Sequence, residues 1–385
     1  MPFSVYLLAL TIFALGTSEF MIAGMMPSLT SALGITVAQG GNLISLYAAG
    51  MVVGGPLVTA VLLRLRVSDK RALLTLLLLY AAAQSVAAMS QNYAVLASAR
   101  IVTGVVGAAC FGLALTICAT CVAPETRGRA ASIVLGGLML ATVPSVPLAT
   151  LIDQHWGWRA SFWMIVVLTL ACTWTLAVWT TAIPSQTYAN LSHALRELRN
   201  RHLWAAYLTC ALVIGATFAA FSYLAVILTD LSGWSRQAVP WLLAGYGLAN
   251  LIGNTVVGRY ADRHTYGVQV LGLVVMIAAL TLFALQTESA AVSVSMVLTL
   301  GLTGITLNPA MAARVMQAAT PGPLVNTVHA SIINIGLGIG TSLGGLAIQQ
   351  GYGLRAPLWL GIALAVLGIL SLLPYVTRIG SSAPC

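Results

Sequence analysis

Crossing a bilayer as a helix takes about 20 consecutive, mostly apolar residues. The 385-residue chain contains twelve such runs, at about 5–27, 42–63, 72–90, 94–121, 131–152, 161–182, 203–228, 239–257, 268–287, 291–312, 329–349 and 357–376. Charged side chains make up only 6% of it, 17 Lys and Arg with 8 Asp and Glu, whereas soluble domains carry about 25%. A water-soluble globular fold is therefore excluded. So is disorder, which needs low hydrophobicity and high charge. The pattern predicts an all-α membrane protein with twelve transmembrane helices. The longest polar connection, residues 184–202, separates an N-terminal half, 1–183, from a C-terminal half, 203–385, with six helices in each.

The few charges then carry the topology. With both termini in the cytoplasm, 13 of the 17 basic residues fall in cytoplasmic segments: around 64–71, 127–129, 196–201 and 259–263, together with Arg314 and Arg378. Only Arg159, Arg236 and Arg355 fall outside. That asymmetry satisfies the positive-inside rule and sets the orientation. It also accounts for the net charge of +9 without nucleic acid, because the basic residues are spread over short loops and form no tract. The halves share one orientation, six being even, and they resemble each other. A shift of 199 residues pairs Gly16 with Gly215, Tyr47 with Tyr246, Gly54 with Gly253 and Arg64 with Arg263. Parallel repeats about an axis along the membrane normal enclose a midplane site in certain transporters.

Of the eight acids, only Glu19 falls well inside a span, and Arg100 is its basic counterpart. An ionisable group at that depth costs about 2.5–3.5 kcal/mol on insertion scales, so it faces a cavity or a partner. Counting about 1.5 Å per residue from each predicted helix entry puts both groups about 9 Å from the outer boundary of a core about 30 Å thick. Burial and a neighbouring guanidinium act in opposite senses on a carboxyl's hold on its proton. The pair therefore reads either as a switchable proton carrier and its modulator or as a static ion pair tying helices 1 and 4. His329, near the start of helix 11, reads as a polar residue at the cytoplasmic boundary.

Other features have plainer readings. Five of the six cysteines lie in apolar runs, and Cys118 and Cys121 lack the second pair or βαβ setting that a zinc or redox motif needs. Eight acids are too few for a carboxylate-rich metal cage, and no metal is expected. The N-terminus has no basic n-region or obvious cleavage site, so the first apolar segment is expected to be retained. Gly336, Gly338 and Gly340 superficially match a dinucleotide loop. They follow no strand, and small residues every four positions read as close helix packing.

Several motifs now carry a family resemblance. The run from Gly16 to Pro27 resembles the helix 1 signature of twelve-span drug:proton antiporters of the major facilitator superfamily, nearest to bacterial exporters of chloramphenicol, sugars and purine nucleosides. Tyr47, Gly50, Gly54 and Pro56 continue the similarity. Arg100, Gly104 and Gly107 resemble the superfamily's helix 4 motif, whose Arg is implicated in proton handling. Pro124–Arg129, Gly157-Trp158-Arg159 and the segment Gly258 to Arg263 resemble its loop motifs, the last implying a gating role for Gly258, Asp262 and Arg263. The sequence departs from the pattern in the first half, where Thr59 and Leu63 stand opposite Gly258 and Asp262. It departs again in helix 5, where Ser145 and Ala149 flank Pro147 in place of glycines.

The resemblance implies the major facilitator fold, with helices 1, 4, 7 and 10 around a cavity. It also implies residence in a bacterial cytoplasmic membrane. The expected activity is proton-coupled efflux of a small amphipathic molecule, chloramphenicol-like or otherwise drug-like, by a monomer driven by the proton motive force with no cofactor. Sugar or nucleoside export, or a non-transporting membrane sensor, are the alternatives; a sensor would need soluble extensions longer than 184–202. Neither a nucleophile–base set nor a metal cluster lies within the spans, so an enzyme is not expected. Candidate substrate contacts are Tyr47, Phe218, Phe221, Tyr223, Asn308, Asn334 and the helix 8 stripe of Tyr246 and Asn250, which share a face at i and i+4. Interhelical hydrogen bonding is the alternative role for those polar groups.

Overall fold

The structure is a computed structural model that describes residues 1–65, 68–122, 127–141, 143–179, 198–261, 263–319 and 323–380. Most of the 184–202 connection, Glu125, Asp262 and Cys385 lie outside the described residues. The chain divides into two compact units, Met1–Thr187 and Tyr188–Cys385. In the first, the helices are α1 (Phe3–Leu33), α2 (Val37–Leu65), α3 (Asp69–Met89), α4 (Tyr93–Thr120), α5 (Arg127–Ala141), α6 (Ser145–Trp156) and α7 (Trp158–Trp179). In the second they are α8 (Arg201–Phe221), α9 (Leu224–Asp230), α10 (Val239–Tyr260), α11 (Thr265–Leu285) and α12 (Ala290–Thr303). A 3₁₀ turn (Ile305–Leu307) leads into α13 (Asn308–Ala318), and α14 (Pro323–Ala347) and α15 (Ala356–Gly380) follow. Among the described residues, nine helical stretches are long and apolar enough to cross a membrane. The other three predicted crossings are α2, the broken α5–α6 pair and α10, which carries Tyr246, Asn250 and Asn254.

Three predicted spans are interrupted. The fifth breaks between Ala141 and Ser145, where Pro144 has no N–H to continue the ladder. The seventh breaks at Ser222 and Tyr223, whose hydroxyls turn to α14: Ser222 Oγ lies 2.8 Å from Thr341 Oγ1, and Tyr223 donates to the Thr341 carbonyl at 2.7 Å. In the tenth, Gly304 leaves helical geometry at φ −81° and ψ −106°, and Pro309 then opens α13. That helix runs to Ala318 and carries Arg314 inward, 2% exposed. Arg314, counted among the cytoplasmic basic residues, is thus buried at a helix end and not exposed in a loop. Asp69, at the start of α3, and Asp153, in the last turn of α6, are also buried, each 7% exposed.

Close backbone approach explains the glycine pattern. In the first unit a Cβ at Gly104 on α4 would run into the Tyr47 carbonyl of α2, and one at Gly54 into the Val105 backbone. In the second unit Gly301 meets the Tyr246 carbonyl and Gly253 the Leu302 backbone. Gly16 faces Ala141, and Gly340, at the position equivalent to Ala141, faces Gly215. The outer turns repeat as well. Gly157 (φ +80°) precedes Arg159, which donates to the Ser90 carbonyl at 2.9 Å, while Gly353 (φ +77°) precedes Arg355, which donates to Thr287 Oγ1 at 3.1 Å. Each unit thus builds the same contacts from its own residues. Outward surfaces carry exposed apolar side chains such as Leu57, Leu79, Trp174, Trp241 and Leu271, as lipid-facing helices require.

Candidate functional site

In the first unit, Arg100 is fully buried on α4 and is held by backbone oxygens. Its Nε donates to the Leu43 carbonyl of α2 at 3.3 Å, and Nη1 donates to the Ser18 carbonyl of α1 at 3.0 Å. The Tyr47 ring lies under the guanidinium, 4.2 Å from centroid to Cζ, a cation–π distance. Nη2 is buried without a hydrogen-bond partner. Gly107 leaves room for Tyr47 and Tyr80 to approach each other. From α3, Gln84 Nε2 donates to Ser18 Oγ and, at 3.2 Å, to the Tyr80 hydroxyl oxygen. Side chains of α3 and α4 thus converge on Ser18 of α1, the residue before Glu19, and α2 joins them through Arg100.

Glu19 itself is half-buried and close enough to feel the Arg100 charge. It makes no direct ion pair with it. Among the described residues the one ion pair joins Arg355 Nη2 to Glu288 Oε1, at 3.0 Å. The static-pair reading of Glu19 and Arg100 is therefore replaced by an arrangement in which Arg100 is fixed to the backbone beside Glu19 and the carboxyl is left unpaired. Ser18, Tyr80 and Gln84 escaped the sequence reading. A weak signal existed for two of them: Tyr80 and Gln84 share a helix face at i and i+4, in a run whose other polar residues are the small Thr75, Ser85 and Ser90.

The second unit holds an aromatic and amide cluster. Phe221 stacks on Tyr246 with centroids 4.7 Å apart, and Phe218 meets Phe221 edge-on at 5.6 Å. The Tyr246 hydroxyl and Asn250 Nδ2 are buried without hydrogen-bond partners. Among the predicted substrate contacts, Phe218, Phe221, Tyr246 and Asn250 are thus brought together, whereas Tyr47 packs against Arg100. Tyr223 turns to α14. Asn308 and Asn334 make no hydrogen bond to the cluster among the described residues; Asn334 Nδ2 donates to the Ala330 carbonyl at 3.0 Å, and each keeps an unpartnered Oδ1. His329 is buried, 7% exposed, with Nε2 3.6 Å from Cys210 Sγ, and so does not lie at a wet boundary. Of the gating candidates, Gly258 has open space beside it and Arg263 is exposed, while Asp262 lies outside the described residues.

Two helical repeats with apolar outer surfaces and buried polar clusters are those of a multi-pass membrane protein, and its similarity to known proteins makes it a transporter rather than an enzyme. The chain belongs to the Major Facilitator Superfamily, whose family model matches residues 8–324. It is 32% identical to a chloramphenicol resistance protein of Streptomyces lividans over all of this chain and 99% of that one. It is 25% identical to a chloramphenicol efflux pump of Mycobacterium tuberculosis, covering 89% of this chain and 85% of the relative. A bacterial homologue of the human lysosomal transporter Spinster shares the fold, with a TM-score of 0.74, 17% identity and 95% of each chain covered. The major facilitator fold of twelve helices in two six-helix halves follows.

Proposed function

We propose that this transporter exports a small amphipathic molecule, chloramphenicol-like or otherwise drug-like, in exchange for protons by alternating access in a bacterial cytoplasmic membrane. The observation that carries the reading is Glu19, an unpaired, half-buried carboxyl beside the backbone group to which Arg100 is bonded. Proton occupancy at such a group is set by its burial and by the neighbouring charge. Arg100 is held by two carbonyls and lies over a ring, so a small shift of the Glu19 side chain changes its distance from a fixed charge. Substrate entry that wets or displaces the carboxyl then alters whether it holds its proton, and that is the coupling step. No cofactor beyond the proton motive force is needed.

The substrate class rests on the chloramphenicol-linked relatives and on the aromatic cluster of Phe218, Phe221 and Tyr246, which offers flat apolar faces with few polar anchors. A sugar or purine nucleoside is the second reading, favoured by the unpartnered polar atoms of Tyr246, Asn250 and Asn308. The test is transport into proteoliposomes of chloramphenicol, a purine nucleoside and a pentose under an imposed pH gradient. One pH unit supports about tenfold accumulation per proton exchanged. Chloramphenicol is expected to accumulate in the direction opposite to proton flow; a panel in which nothing responds to the gradient overturns the coupling.

A further inference from the structure

Arg314 lies at one end of the second unit, on the last turns of α13, in an unusual setting for a membrane protein's arginine. It is 2% exposed; Nη1 donates to Thr209 Oγ1 at 2.6 Å, and Nη2 is buried with no partner. Its guanidinium carbon lies 4.8 Å from the Tyr375 ring centroid and 5.5 Å from that of Tyr266, and these two rings are parallel within 5°. His202 Nδ1 and the Tyr375 hydroxyl lie 3.2 Å apart, and Gln317 Nε2 donates to Thr265 Oγ1 at 3.0 Å. Together with Ala318, the four residues His202, Tyr266, Gln317 and Tyr375 join Arg314 in lining a cavity of about 270 Å³. Among the described residues no carboxylate forms an ion pair with Arg314.

A buried guanidinium with a spare donor calls for an acceptor that carries charge. Its planar fork matches the oxygens of phosphate, and aromatic walls hold it in place while contributing no counter-charge. The volume lies just below the range of about 300–1,000 Å³ typical of small-molecule sites, so it fits a headgroup-sized anion better than a drug. The cavity sits where α8 and α11 begin and where α13 and α15 end. The basic-residue bias of the sequence puts these ends on the cytoplasmic side, where basic pockets between helices take anionic headgroups.

We propose that this cavity is a binding site for a phosphate-type oxyanion, supplied either by the headgroup of an anionic phospholipid or by free phosphate. The site is separate from Glu19 and does not depend on the direction or substrate of transport. The test uses the full chain, purified and delipidated in detergent, titrated with phosphatidylglycerol, with phosphatidylcholine and with inorganic phosphate against chloride at equal ionic strength. The readouts are thermal unfolding and tryptophan fluorescence, with Trp204 close to the site in sequence. Wild type is expected to be stabilised by phosphatidylglycerol and not by phosphatidylcholine; a matching response to inorganic phosphate identifies free phosphate as sufficient, and no such response identifies the lipid. Arg314→Gln and Ala318→Phe, which fills the cavity while keeping the arginine, are each expected to weaken the response about tenfold or more. If Arg314→Gln does not fold, Ala318→Phe decides. A wild type unmoved by either anion, or an Ala318→Phe variant that responds like wild type, overturns the proposal.

Discussion

Arg100 spends its donors on backbone carbonyls of two helices, and that choice restricts what can replace it. A lysine has one nitrogen where the guanidinium has three, so it cannot reach the Leu43 and Ser18 carbonyls while lying flat on Tyr47. Arg100→Lys is expected to cost about 1.5–3 kcal/mol, read as a lowered unfolding temperature in detergent; an unchanged melting curve contradicts the anchoring role. Gln84→Leu keeps the volume but removes the donor to Ser18 and Tyr80. It is expected to leave the protein folded and to slow proton-driven transport, because the α1 segment that presents Glu19 is then less fixed. Transport at the wild-type rate by a folded Gln84→Leu protein sinks that idea. Glu19 and Arg100 were legible in the sequence because a charge in an apolar run is expensive and therefore conspicuous. Neutral Ser18, Tyr80 and Gln84 cost far less to place in a helix, so the only mark on them is the i, i+4 spacing of Tyr80 and Gln84. The missing ion pair was not legible either, since depth along two helices says nothing about which way their side chains turn.

For the helices, the apolar runs predicted where the elements lie but not where they break. Pro144 and Gly304 have a local cause that a sequence shows; at the break between α8 and α9, Ser222 shares a hydrogen bond with the Thr341 hydroxyl and Tyr223 donates to the Thr341 carbonyl, more than a hundred residues away. Only tertiary structure supplies those partners. The glycines make a sharper prediction. Gly104 abuts the Tyr47 carbonyl, so Gly104→Ala must push α4 from α2 and is expected to cost about 1–3 kcal/mol. Gly258 faces open space, and Gly258→Ala is expected to stay within about 0.5 kcal/mol of wild type. Equal thermal stabilities for the two variants contradict the close-approach account of the α2–α4 contact. Both glycines belong to motifs that resemble family signatures, so motif membership alone does not tell a packing glycine from one with room beside it.

For the whole molecule, the division into halves followed from one polar connection, while the repeat was only partly visible. A shift of 199 residues aligns Tyr47 with Tyr246, but Gly104 and Gly301 are 197 apart, and Arg159 and Arg355 are 196 apart. Small length changes in the connections move the register, so one fixed shift finds some helix pairs and loses others. The basic residues predict the orientation. Alkaline phosphatase fused after Arg159 or Arg355 is expected to be active, and fused after Arg263 inactive; the opposite pattern reverses the topology and with it the direction of the proposed exchange.

If Glu19 carries the exchanged proton, substrate binding must release that proton into solution. Purified protein in weakly buffered detergent solution would be mixed with saturating substrate while pH is followed, with binding measured in parallel. Wild type is expected to release about one proton per substrate bound if a single carboxyl carries the exchange. Glu19→Gln is expected to bind substrate and release none. Release from the Glu19→Gln variant equal to that from wild type would contradict the account.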